Sequence, residues 1–186
     1  MTVLSIYNEN GEALQSGLRD QQQIAGILAE LGVQLESWEA QQALADDADQ
    51  DAVLAAYQAS IDKLNRDYGF QSVDVVALGP DHPQKDEFRQ KFLAEHTHAD
   101  FEIRFFVDGS GLFYLHVNEK VYLLLCEKGD LVSVPANTTH WFDMGSRPSF
   151  KCIRLFTTQD GWVGDFTGSD IASRFPTLDE FVASLS

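Results

Sequence analysis

The sequence predicts a mainly β fold with helices added on its N-terminal side. Three observations carry this. β-rich runs crowd between Phe101 and Thr158, turn-forming residues separate them at short intervals, and helical periodicity is concentrated before His96. Strands repeating at this spacing form a sandwich or a barrel.

Element by element, "TVLSIY" and "VQLESW" read as short strands. "LRDQQQIAGILAELG" reads as a helix with Ile24, Ile27, Leu28 and Leu31 on one face and Gly32 as its stop. "DAVLAAYQASIDKLNRDYG" reads as a second helix, with Leu54, Tyr57, Ile61 and Leu64 in one stripe and Gly69 at its end. The acidic run "ADDADQD" before it offers N-caps and favourable charge. "SVDVVALG" is a strand, and "PQKDEFRQKFLAEH" a third helix with Pro83 early and Phe88, Phe92 and Leu93 inward. Six strand runs follow: "FEIRFFV", "GLFYLHV", "VYLLLCE", "DLVSVP", "THWFDM" and "FKCIRLF". "DGSG", "NEK", "KGD", "PANT" and "GSRPS" are the turns between them. "TLDEFVASLS" closes the chain as a short helix.

A chain of 186 residues suggests one domain, 1–186, and buries about 70% of its unfolded surface. A net charge of −16 argues against nucleic acid and anionic membrane surfaces, whose recognition needs Lys and Arg. The first twenty residues lack a basic start and an apolar run, and no stretch is long and apolar enough to span a membrane. A cytoplasmic protein is expected. Cys126 and Cys152 sit inside apolar runs without a neighbouring cysteine, so two reduced, buried thiols are expected.

The chemistry concentrates in "EHTHADFE". On a helix, residues two apart point about 200° from each other, so His96 and His98 cannot share a ligand there. On a strand they share a face, about 6.6 Å apart, and both imidazoles reach one metal ion. Glu102 would lie about 20 Å from His96 in a straight strand. The site reading therefore requires a bend or bulge between Ala99 and Phe101. Arg104 then falls on the face of Glu102. His140 is the best third histidine, because it follows a strand that enters a Pro-containing turn and restarts. Phe142 shares its face. His82 reads as a solvated loop residue. His116 receives no role.

The pattern HxHxxxE from His96 to Glu102, followed after six residues by Gly109, resembles the first cupin motif. "GDLVSVPANTTH", Gly129 to His140, resembles the second. Gln90, Asn137 and Met144 depart from the usual Gly, Gly and Asn, and Asn tolerates left-handed backbone better than most residues. Together with the mixed α/β N-terminal half, "HTHADFEIRFFVDGSGLFYLHV" and "DGWVGDFTG", most of the chain is similar to the bacterial acireductone dioxygenase family. The resemblance implies a cupin-type antiparallel β-barrel (jelly roll) with N-terminal α/β elements, its metal-binding barrel portion at about residues 70–160. It carries the metal-ligand role onto His96, His98, Glu102 and His140. It implies one Fe(II) or Ni(II) per chain, O2 as co-substrate and a small-molecule acireductone, 1,2-dihydroxy-3-keto-5-methylthiopentene, of methionine salvage. Iron implies formate and 2-keto-4-methylthiobutyrate as products. Nickel implies formate, carbon monoxide and 3-methylthiopropionate.

An anionic substrate on so acidic a protein needs local positive charge. Arg104 is the first candidate and Arg154, also readable as a structural ion pair, the second. Phe92, Phe142 and Trp162 are candidates for the pocket wall, and equally readable as core. A monomer is expected. The competing readings are another metal cupin, an isomerase or a different dioxygenase, and a non-catalytic cupin that binds a small molecule. A complete ligand set argues against the last.

Overall fold

The computed structural model describes all 186 residues. In chain order the elements are β1 (Val3–Asn8), β2 (Ala13–Leu18), α1 (Gln21–Ala29), β3 (Gln34–Ser37), α2 (Gln50–Ala56), α3 (Gln58–Tyr68), β4 (Ser72–Leu78), α4 (Lys85–Leu93) and β5 (His96–Thr97). There follow β6 (Glu102–Val117), β7 (Lys120–Glu127), β8 (Asp130–Val134), β9 (Thr139–Asp143), β10 (Phe150–Phe156), β11 (Asp165–Phe166), a 3₁₀ turn (Ile171–Arg174) and α5 (Leu178–Ser184).

Strand β6 organises the molecule. Its first half pairs with β8 and β10, and its second half with β7 and β9. The same strand is thus central in two antiparallel sheets. One runs β3-β8-β6-β10-β4, and the other β11-β5-β9-β6-β7-β1-β2. The ladders end at β3 and β4 in the first sheet and at β11 and β2 in the second. The mainly β antiparallel architecture read from the sequence is the one observed.

The "DGSG" turn is not a turn. The runs on either side of it form one 16-residue strand that bends and continues. Gly109 adopts φ +68°, and a Cβ there would collide with the carbonyl oxygen of Ser149. At Gly111 a Cβ would collide with the Phe142 ring. The glycines therefore bend the strand and let β10 and β9 approach it, where the sequence had suggested a reversal.

The central strands of both sheets are buried on both faces. Between them lie Leu4, Phe113, Leu124 and Phe142 from one sheet and Phe106, Val132, Phe150 and Cys152 from the other. The outer face of the first sheet, with Ile103, Phe105, Ile153 and Leu155, is covered by Val53, Tyr57, Ile61 and Leu64 of the helical segment. The outer face of the second, with Leu112, Tyr114, Leu123 and Trp141, is covered by Ile171, Phe175, Leu178 and Phe181. This double burial explains why so many strand runs read as continuously apolar.

Helix ends follow their caps. The Asp20 carboxylate accepts from the Gln23 amide (2.8 Å), and the Asp49 carboxylate from the Ala52 amide (2.9 Å). Thr177 and Glu180 form a capping box on α5. The second helix of the sequence reading is two helices, α2 and α3. The chain breaks at Tyr57, whose φ −107° and ψ 18° leave the helical range, and whose ring packs edge-on against Phe105 at 5.5 Å. Val53 takes the fully buried position, while Leu54 is only partly buried. Strand β2 went unread because its residues are mostly exposed and show no alternation.

Candidate metal centre and its cavity

His96 and His140 are brought together by strand register. They are direct partners in the β5–β9 pairing, and their ring centroids lie 4.4 Å apart. His98 follows just beyond β5, and its ring centroid lies 5.1 Å from that of His140. The chain then bends at Ala99 and Asp100 before β6 begins at Glu102. The Asp100 carboxylate holds this bend. It accepts from the amides of Phe101 (2.7 Å) and Thr158 (2.8 Å) and from the hydroxyls of Thr157 and Thr158. Asn137, at φ +62°, turns the second motif, and its amide donates to the His98 carbonyl at 2.8 Å. The two motifs are thus tied by backbone as well as by their histidines.

Each of the three imidazoles uses Nδ1 on a backbone carbonyl. His96 donates to Ala94 (2.8 Å), His98 to Val163 (3.0 Å) and His140 to Thr138 (2.7 Å). A neutral ring that donates from Nδ1 has its lone pair on Nε2, and such a partner fixes tautomer and orientation. The three histidines present ligand atoms within 4.8 Å of one another. Glu102 Oε2 lies 3.4 Å from His98 Nε2 and 3.8 Å from His140 Nε2. Its other oxygen accepts from Arg104 Nε.

The electrostatics keep these groups ready for a cation. Burial pushes the His96 pKa down to about 4 and that of His140 to about 3, so both are neutral at pH 7. Burial alone would raise the Glu102 pKa, but the surrounding positive groups together, Arg104 first among them, outweigh it and hold it at about 2. The result is a carboxylate and two neutral imidazoles, those of His96 and His140, with the His98 ring at the same point. His98 Nε2, His140 Nε2 and Glu102 Oε2 are buried without a hydrogen-bond partner. Convergent lone pairs with no proton between them repel and are costly to bury. A divalent cation satisfies all of them, and the three-histidine group can hold one.

A cavity of about 480 Å³ opens beside His96 and His98. Its walls are β4 from Asp74 to Leu78, the face of α4 carrying Phe88, Lys91 and Phe92, and a strap carrying Trp162, Gly164 and Phe166. The strap is pinned to the site. The carbonyl of Val163 holds His98, β11 pairs with β5, and at Gly164 an added Cβ would come into van der Waals contact with the His96 ring. Trp162 and Phe166 remain about half exposed (48% and 49%), so the mouth is apolar.

Of the residues proposed from the sequence, Arg104, Arg154, Phe92 and Trp162 line this cavity. Phe142 does not. It is 1% exposed, packed between the sheets against Phe113 and Phe106, with its ring 5.3 Å from the Arg104 guanidinium. Two residues along β9 from His140 is one layer deeper, and the apolar core closes the cavity off there. Arg154 is gripped by Asp74, with bonds of 2.9 Å from Nε and 2.6 Å from Nη2. His82 is half-buried at the cavity rim, not a solvated loop residue, and the Gln84 amide donates to its Nδ1 at 3.1 Å. His116 bridges two carboxylates, Glu9 (2.7 Å) and Glu95 (2.8 Å), outside the cavity. Burial pushes the Cys152 thiol up to about 12 and that of Cys126 well above its ordinary value, so both are unreactive. Sequence reasoning missed Asp74, Asp100, Lys91 and Phe166. Only Lys91 had a local signal, its three-residue spacing from Phe88 on one helix face.

A family model described as ARD/ARD' matches residues 4–164. An acireductone dioxygenase of Methylococcus capsulatus is 57% identical over 182 residues, 98% of either chain. One from Alcanivorax borkumensis is 59% identical over 176 residues, 94% of this chain and 97% of that protein. Among solved structures, acireductone dioxygenase from Bacillus anthracis with a cadmium ion in its active centre superposes with a TM-score of 0.75 at 27% identity. The match covers 89% of this chain and 99% of that one. No helix of the chain is long and apolar enough to cross a membrane.

Proposed function

The chain belongs to the ARD/ARD' family, and from that premise we propose that it is a metal-dependent acireductone dioxygenase, cleaving a small enediol ketone with O2. One observation carries the reading. Three imidazole Nε2 lone pairs and Glu102 Oε2 meet beside a cavity of about 480 Å³ that mixes arginines with an apolar wall.

In this reading His96, His98, Glu102 and His140 hold one Fe(II) or Ni(II); three imidazoles and a carboxylate exclude neither ion, and the affinity order favours Ni(II). When bound, the ion would supply Lewis acidity and a template for the enediol. Everything else falls to the chain. Arg104 keeps Glu102 ionised and oriented, and as a cation lining the cavity it favours an enediolate over the neutral enediol. Arg154, fixed by Asp74, adds a second oriented guanidinium to the wall. Phe88, Phe92, Trp162 and Phe166 exclude water from one side and receive the alkylthio tail. The proposed substrate is 1,2-dihydroxy-3-keto-5-methylthiopentene. The iron form would give formate and 2-keto-4-methylthiobutyrate, and the nickel form formate, carbon monoxide and 3-methylthiopropionate.

Elemental analysis of purified protein, with oxygen uptake on the acireductone, tests the assignment. About one equivalent of Fe or Ni per chain and acireductone-dependent uptake are expected. Metal without uptake would leave a cupin that only binds. Full metal content and rate in His140→Ala would overturn the ligand set.

A further inference from the structure

Three permanent cations line the cavity, and two are neutralised by the protein itself. Arg104 is paired with Glu102, and Arg154 with Asp74. The third is Lys91, in the last turn of α4. Its ammonium makes no ion pair or hydrogen bond with the protein. It shares its helix face with Phe88, three residues before it, and the cavity wall with neighbouring Phe92. All this lies on a chain of net charge −16, whose overall field repels an anion.

We propose that Lys91 is a substrate-positioning residue, the rim cation that draws the anionic enediolate into the cavity and holds its charged end while the tail lies on Phe88 and Phe92. The proposal rests on the acireductone reading above. The physical basis is local charge balance. A carboxylate in contact with each guanidinium cancels most of its field, so apart from the ion held by the buried ligands, the uncompensated charge that an approaching anion meets at the rim is the ammonium. Lys91 is exposed, and salt screens an exposed charge within about 8–10 Å at moderate ionic strength. The effect therefore belongs in capture and binding more than in the chemical step. The competing explanation is structural. A lysine in the last turn complements the helix dipole, which would alter stability and not substrate affinity.

The variants are Lys91→Gln, Lys91→Glu and Lys91→Arg, with Lys120→Gln as a control that removes an equal charge from an exposed lysine on β7. All are loaded to equal metal content. Oxygen-uptake kinetics are measured against acireductone at about 0.02 M and about 0.5 M salt, and acireductone binding is titrated without oxygen by absorbance. At low salt Lys91→Gln should raise KM and the dissociation constant by about five- to tenfold, with kcat within about twofold, and Lys91→Glu should raise them further. The deficit should shrink at high salt, Lys91→Arg should stay near wild type, and Lys120→Gln should match it. Unchanged KM and binding in Lys91→Gln, equal losses in Lys91→Gln and Lys120→Gln, or a salt-independent fall in kcat alone would each overturn the proposal. Absence of uptake in metal-loaded wild type would overturn the acireductone reading and this proposal together. Normal wild-type uptake with an indifferent Lys91→Gln overturns this proposal alone.

Discussion

His140 and Asp143 lie three residues apart on β9, both essentially buried, and they end in opposite states. Asp143 is fully satisfied. One oxygen accepts from Arg89 Nε (2.8 Å) and the Gly145 amide (3.0 Å), and the other from Arg89 Nη2 (3.1 Å) and the Leu178 amide (2.8 Å). It ties α4, β9 and the start of α5 into one unit. His140 has a partner for Nδ1 and none for Nε2, and the same is true of His98. Burial of a polar group marks neither structure nor function. The convergence of unused lone pairs does: the other unpartnered buried atoms, Tyr57 Oη and Trp141 Nε1, are single and scattered, whereas His98 Nε2, His140 Nε2 and Glu102 Oε2 meet at one point. Asp143 belongs to the fold, and His140 points at something the fold does not supply.

The sharpest way to break this comparison is to remove each group in turn. His140→Ala should abolish most metal binding and activity while leaving the metal-free fold near wild-type stability, since it deletes a convergent lone pair. Metal analysis and thermal unfolding of chelator-treated protein check both halves. Asp143→Ala should do the reverse. It strands a largely buried Arg89 and two amides, at a cost of about 3 kcal/mol or more, while the four candidate ligands keep their partners. A denaturant midpoint unchanged in Asp143→Ala would mean that the knot is decorative.

Arg104 stands between the two cases, since it both satisfies Glu102 and faces the cavity. Arg104→Ala should lower kcat by about 10²–10³, by analogy with losing one oxyanion donor. It should also weaken metal retention, because Glu102 loses the largest of the charges that hold its pKa near 2. The two effects separate if kcat is measured at saturating metal. A variant that recovers full kcat once metal is saturated assigns Arg104 to the carboxylate alone.

The same contrast explains what was legible in the sequence. His96, His98, Glu102 and His140 belong to two local patterns, and strand geometry alone demanded the bend that the chain makes at Ala99 and Asp100. What holds that bend was not legible, because Asp100 reaches Thr157 and Thr158 across more than fifty residues. The Asp74–Arg154 pair and the Val163 carbonyl on His98 are equally remote in sequence. Parity placed Phe142 on the face of His140 correctly, but parity carries no depth, and the ring is core. "DGSG" misled because glycines that permit a close strand approach look like glycines that permit a reversal. The covering of both sheet faces was unreadable for a related reason. A strand buried on both sides loses the alternation that would reveal which side is which.

His116 sharpens the comparison at its weakest end, as a buried-edge group satisfied by two charges instead of by dipoles. Burial pulls its pKa down, but hydrogen bonds to Glu9 and Glu95 outweigh this and raise it above the ordinary value. The sign follows. A histidine whose pKa is higher folded than unfolded binds its proton more tightly in the native state, so its contribution is full below the unfolded value of about 6.5 and fades as pH rises through the folded value. The bridge links the β1–β2 turn, through Glu9, to the residue before His96, and Glu95 in turn holds Thr167 on the strap (2.8 Å). Partial exposure screens the pair, so His116→Gln should cost about 1 kcal/mol or less. The loss should be measurable at pH 6 and should shrink as pH rises above the folded value. Unfolding of wild type and variant across that range checks it. A stability difference that does not change with pH would assign His116 to packing against Trp141, whose ring meets it edge-on at 6.4 Å, and not to the charge bridge.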